Sequence, residues 1–289
     1  MALIILMCIH VLLAWSFYLP VSGQLLNCGQ HGLMAIGAYT AALLTLQNFP
    51  FVISIVLGGL TAALFGLSLG FLGLRLKQFG VVIVTIAYAE VIKVAINNTD
   101  KFLPAAGGPQ GLFVPVKTTP WFAVITVVII GMLLFRMDYS KIGRAIKAIA
   151  SQEQAAESLG VNSTAIKLLL MVMSGFICGI GGGLLAHYTG YIESEMFGFP
   201  ILIEACAFAV VGGIGTMWGS VVGVLAVDIF LESVVFLVGW RVFMYGAIVV
   251  FVMLFKPSGI LTEKGIHVIV KIFGEKVQKI YGGLKREVR

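Results

Sequence analysis

Asp138-Tyr-Ser-Lys-Ile-Gly-Arg144-Ala-Ile-Lys147-Ala-Ile-Ala-Ser-Gln-Glu153-Gln-Ala155-Ala156-Glu157-Ser-Leu-Gly160 is a charged, amphipathic stretch set between two long runs of hydrocarbon. Its apolar positions are Ile142, Ala145, Ile146, Ile149, Ala156 and Leu159. They follow the i, i+3, i+4, i+7 rule and predict one helix over 141–160 with a single apolar face. Arg144, Lys147, Ser151, Gln154 and Glu157 occupy the rest. Ser140 is placed to cap its start, Gly160 to end it in a left-handed turn, and Asn162 or Ser163 to cap the apolar run that follows. Small alanines and a mid-helix Ser151 give a face that suits a protein groove better than acyl chains. A helix lying on lipid is the alternative.

The flanks of this stretch set the fold class. The chain has 289 residues, 60% hydrophobic and 11% charged, with mean hydropathy +1.05. A water-soluble domain of that composition would expose large apolar patches and aggregate. In a bilayer each spanning helix needs about 20 apolar residues to cross roughly 30 Å. Backbone groups there must pair within the segment, so the runs are read as helices. They are too long and continuous for a β-barrel. The expected class is an all-α polytopic transmembrane bundle of about 8–10 spans. Nine candidates fall near 2–19, 24–46, 50–74, 79–97, 119–136, 165–187, 199–216, 217–237 and 239–256. The seventh and eighth share one apolar run, divided by Gly212-Gly213-Ile-Gly215-Thr-Met-Trp218-Gly219, which reads as a tight turn or a broken helix. Val21-Ser-Gly23 follows an apolar run as a cleavage site would, but Met1-Ala-Leu-Ile carries no basic residue, so the first run is read as a span.

Fifteen of the 19 Lys and Arg residues fall in 75–77, 136–167 and 256–289. Placing those stretches in the cytoplasm leaves Lys101, Lys117 and Arg241 outside, with Lys93 in a span. The asymmetry predicts an outer N-terminus and a cytoplasmic C-terminus. The net charge of +6 is thereby accounted for by orientation and anionic lipid rather than nucleic acid. Two regions follow: a membrane domain over 1–256, interrupted by the polar helix near 138–162, and a basic amphipathic cytoplasmic tail over 257–289.

Ionisable residues inside spans are costly and need partners. Glu90 and Lys93, three apart, are expected to neutralise each other. Asp228 and Glu232 share a face, with Arg241 just beyond. Glu204, His31 and His187 complete the set. Each is read as a structural pair or an interfacial position, with lining of a polar route as the alternative. Small residues recur every four positions at Gly58, Ala62, Gly66 and Gly70, at Gly175, Gly179 and Gly183, and at Gly215, Gly219 and Gly223. Such stripes let helix backbones approach closely, within one chain or against a second subunit.

The chain carries no G-x-x-x-x-G-K-[ST] or H-E-x-x-H motif and no metal-spaced His/Cys set. No catalytic residue, metal ligand or cofactor site is assigned, and an enzyme is not expected. Cys8, Cys28, Cys178 and Cys206 all lie in apolar runs and read as small buried hydrophobes.

Gly143-Arg144-Ala145 followed by Glu153-Gln-Ala155-Ala156-Glu157-Ser-Leu-Gly160-Val161 resembles the cytoplasmic "EAA" loop of ATP-binding-cassette importer permeases. Three further stretches are similar to the branched-chain amino-acid branch, its M-type subunits in particular. They are Asn27 and Gly29-Gln30 ahead of Gly37-Ala38-Tyr39; Phe79 through Thr85 to Glu90, with Asn97-Asn98 and Gly107-Gly108-Pro109-Gln-Gly111-Leu112; and Gly212-Gly213-Ile-Gly215-Thr-Met-Trp218-Gly219-Ser220-Val-Val-Gly223. Cys28 and His31 depart from the pattern.

The resemblance implies one half of a membrane pore with the importer permease fold, in a bacterial or archaeal cytoplasmic membrane. It implies a homologous H-type permease as partner, two ATPases holding ATP and magnesium, and an extracytoplasmic substrate-binding protein. Gly143, Arg144, Glu153, Ala155, Ala156, Glu157 and Gly160 would couple to the ATPases. Asn27, Gly29, Gln30, Gly37, Tyr39, Thr85, Glu90, Gly212, Gly213, Gly215 and Gly219 would line the pathway or pack the bundle. Leu, Ile and Val are the implied cargo, with urea, aromatic acids or nucleosides as alternatives. An ion-coupled secondary transporter and a passive channel are the rival classes.

Overall fold

The computed structural model describes residues 1–76, 78–99, 107–233, 240–256 and 259–260. The expected amphipathic tail over 257–289 lies, but for 259–260, outside them. Eleven helices fall within these residues: α1 (Ala2–Ser22), α2 (Gln30–Leu46), α3 (Phe51–Gly73), α4 (Gln78–Asn97), α5 (Pro120–Asp138), α6 (Lys141–Ser151), α7 (Glu153–Ser158), α8 (Ser163–Thr189), α9 (Phe199–Gly212), α10 (Met217–Ser233) and α11 (Arg241–Phe255). The all-α membrane bundle read from hydropathy is the architecture observed. Among the described residues one two-stranded antiparallel ribbon pairs β1 (Leu112–Phe113) with β2 (Tyr191–Ile192), Leu112 opposite Ile192.

Among the described residues, fewer helices reach the length of a span than the nine apolar runs. Five helices, α1, α3, α4, α5 and α8, are long and apolar enough to cross a membrane, six if α9 and α10 count as one bent span. The apolar runs over 24–46 and 239–256 hold α2 and α11, of 17 and 15 residues. Hydropathy counts side chains, whereas a span also needs unbroken backbone. The chain leaves α1 at Gly23, turns through Gln24 at φ 62°, and is non-helical to Gly29. The run over 199–237 breaks between Gly212 and Met217, where α9 and α10 meet at 111°. Gly213 at φ 114° makes that bend, a conformation open to glycine.

At the centre stands α8, two-thirds buried along its most apolar stretch, packed by α1, α2 and α3. Small residues allow this. A Cβ on Gly37 would lie 2.3 Å from the Gly179 backbone, and one on Gly175 would lie 2.5 Å from the Ala62 carbonyl. In the second half, a Cβ on Gly212 would stand 1.8 Å from the Gly219 carbonyl. The stripes at 58–70 and 175–183, and the Gly219 and Gly223 positions, therefore pack helices of one chain. Gly215 sits exposed in the turn between α9 and α10. By contrast α4 and α5 are mostly uncovered, presenting Ile83, Val91, Trp121, Val128 and Met132 outward. Such a belt is stable against hydrocarbon and unstable against water.

Candidate functional site

The polar stretch at 138–160 forms an elbow at one end of the bundle. Ser140 caps α6, its hydroxyl accepting from Ile142 N at 3.1 Å and Gly143 N at 3.4 Å. A Cβ on Gly143 would lie 2.1 Å from the Asp138 carbonyl, so glycine lets the chain fold back on the end of α5. Ile146 enters the bundle beside Tyr18, Leu19, Met137 and Met217.

The expected single helix is two. Gln152 is extended, at φ −161° and ψ 107°, and separates α6 from α7. This break resets the helical phase, so the predicted apolar face divides. Ile146, Ile149 and Ala156 are buried, while Ile142 is 38% and Leu159 85% exposed. Gly160 turns at φ 84°, and Asn162 caps α8 by accepting from Ala165 N at 2.9 Å.

The elbow is tied to the spans on both sides. Lys147 pairs with Asp138 at 3.2 Å. Lys167 of α8 pairs with Glu153, and the Ser163 hydroxyl donates to Glu157. The Gln24 side chain donates to the Ala150 carbonyl at 2.7 Å, linking the α1–α2 connector to the same unit. Arg144, Ala155, Glu157, Leu159 and Gly160 are left on the outer surface. The sequence reading missed Gln24, Ser163 as a hydroxyl donor, and Lys167 as a partner. Only their spatial neighbours mark them out.

A second polar region lies inside the bundle, where α2 begins. Asn27, Gln30 and His31 are fully buried. Gly29 N donates to the Asn27 carbonyl oxygen Oδ1 at 2.9 Å, and Cys28 N donates to the Thr85 hydroxyl of α4 at 3.0 Å. A Cβ on Gly29 would lie 2.9 Å from the Thr85 carbonyl, so α4 crosses there at backbone distance. Glu90 stands 3.5 Å from His31 Nε2.

Glu90 and Lys93 are thus not the expected pair. Lys93 reaches Glu195 at 2.7 Å, in the connector ahead of α9, because the loop after α8 folds over α4. The structure brings together Asn27, Gly29, Gln30, Thr85 and Glu90. Tyr39 lies further along α2, edge-on to Phe197, and Gly37 serves the α8 contact. Gly212, Gly213 and Gly219 belong to the α9–α10 bend.

His10 Nδ1 and Asp228 Oδ2 are 2.8 Å apart, joining α1 to α10. The Trp15 indole donates to the Met217 carbonyl at 3.1 Å. The reading of Arg241 as partner falls on a side chain outside the described set. His187 bonds the Thr45 hydroxyl at 2.9 Å. At the loop end, the Tyr191 hydroxyl donates to Glu193 at 3.1 Å; desolvation and that bond raise its pKa above the usual phenol value.

Comparison with known proteins is consistent with this plan. The permease LivM of a high-affinity branched-chain amino acid transport system in Salmonella typhimurium is 29% identical over 274 residues, covering 82% of this chain and 64% of that protein. Its Escherichia coli namesake is 28% identical over the same length, and the Pseudomonas aeruginosa permease BraD is 32% identical over 142 residues, 48% of this chain and 46% of its own. The chain thus spans less than two-thirds of the LivM length. No solved structure matches. The family model described as branched-chain amino acid transport system / permease component matches residues 1–255. The chain belongs to that family.

Proposed function

We propose that this chain is one permease half of an ATP-driven importer for branched-chain amino acids, and performs no covalent chemistry itself. The elbow at 138–160 carries the reading. A polar unit capped at its start, pinned by ion pairs to α5 and α8, and exposing Leu159, Ala155 and Glu157 is built to receive force and pass it to spans. Two ATPase subunits, holding ATP and magnesium, would seat on that surface in the cytoplasm. A homologous permease would complete the pore, and an extracytoplasmic binding protein would deliver the solute at the loop end. Closure of the ATPases would then move α6 and α7 as a lever and rock the bundle between outward and inward access. The membrane is bacterial or archaeal, with the N-terminus outside and the C-terminus inside, as the basic residues favour. Leucine, isoleucine and valine are the cargo that the names of LivM and BraD support.

Reconstitution tests this. Proteoliposomes holding this chain, the second permease and the ATPases should accumulate leucine only with ATP and binding protein. Uptake by the chain alone, driven by an ion gradient or running downhill, would overturn the reading in favour of a secondary transporter or a channel.

A further inference from the structure

We infer that the buried start of α2 is a site for the charged backbone of a zwitterionic amino acid. The carboxylate would lie against the helix N-terminus and the ammonium against Glu90. The inference rests on the importer reading and names where in this chain the cargo is recognised.

Two independent observations point to a ligand. The first is the backbone. The chain between Gly23 and Gly29 is non-helical, and α2 begins only at Gln30, inside the bundle, with no side chain capping it. The first N–H groups of a helix have no helical acceptor and carry its positive dipole end. Interrupted membrane helices use such ends to hold anionic groups.

The second is a set of unpaired side chains at the same point. Asn27, Gln30 and His31 are fully buried, yet Asn27 Nδ2, both amide atoms of Gln30 and His31 Nδ1 lack hydrogen-bond partners. Asn27 is held at the helix start by its bond from Gly29 N. A buried polar atom left unpaired costs about 1–3 kcal/mol, and several in one place call for a function.

The charges complete the match. Glu90, its side chain 44% exposed, pairs with His31 Nε2 at 3.5 Å. Lys93, one turn along, is engaged by Glu195. The donors therefore gather at the α2 start and an acidic group faces them across His31, the charge order of an amino-acid backbone. α4 seals the site. It touches α2 through Thr85 on Cys28, through Ala89 against Gly32, and through Glu90 beside His31. α4 is little buried elsewhere, and its displacement would open the site.

The test uses the full reconstituted importer with saturating binding protein. Gln30→Met and Glu90→Gln should each lower the initial rate of leucine import about tenfold, the effect of losing one or two hydrogen bonds to charge. Gln30→Met should leave the melting temperature of the complex unchanged or raised, because it removes an unpaired amide. A photoreactive leucine bearing a diazirine should label residues 27–32, and excess leucine should prevent it.

Wild-type import in both variants, labelling elsewhere, or a lower melting temperature in Gln30→Met would overturn the site. Each of those results leaves the importer reading standing. A wild-type complex that imports no leucine would remove both.

Discussion

Single atoms decide much of this bundle. The His10–Asp228 pair is largely buried, so removing either partner deletes a bond between α1 and α10 in a poorly solvating interior. Asp228→Ala should therefore destabilise the detergent-solubilised protein by about 3 kcal/mol, and the His10→Ala, Asp228→Ala double variant by less than the sum of the singles. Additive losses in thermal melting would show that the two do not interact. Glycines divide in the same way. Gly143→Ala forces a Cβ onto the Asp138 carbonyl and should misplace α6, abolishing leucine import with the protein still inserted. Gly246→Ala, in α11, meets nothing within 4 Å and should melt up to about 1 kcal/mol higher. A Gly143→Ala variant importing at the wild-type rate would show that the joint tolerates strain.

Among the elements, the elbow separates fold from docking. Ala156 is buried, so a bulky residue there probes packing of α7. Leu159 and Gly160 are outside and probe contact with a partner. Leu159→Asp should change stability by less than about 0.5 kcal/mol, as exposed substitutions do. It should nevertheless uncouple binding-protein-stimulated ATP hydrolysis, leaving unstimulated hydrolysis and little import. Gly160→Leu should act likewise, with a small added cost for a side chain at φ 84°. Normal stimulated hydrolysis in both would remove the elbow as the coupling surface. The caps here were legible beforehand: Ser140, Gly160 and Asn162 take their roles through neighbours within three residues. The break at Gln152 was not, because Ala156 follows Ile149 at i+7, in phase with the same face, and a single extended residue leaves no compositional mark.

For the molecule as a whole, orientation is open to a direct measurement. Val116 is exposed at the loop end and Leu159 at the elbow end, while Cys8, Cys28 and Cys178 are buried. A membrane-impermeant maleimide should label Val116→Cys in intact cells and Leu159→Cys only in inverted vesicles. The opposite pattern would invert the topology and place the elbow away from any cytoplasmic ATPase. The residues alone determined the solvent, the helical class, the basic asymmetry and the position of the polar insertion. These follow from local composition and period, and a bilayer admits few alternatives. Only the folded chain decided where helices break, that Lys93 meets Glu195 rather than Glu90, and that His10 meets Asp228. Partners 102 and 218 positions apart are chosen by the routing of loops and the close approach of glycine backbones. That information lies in long-range packing rather than in any window of sequence.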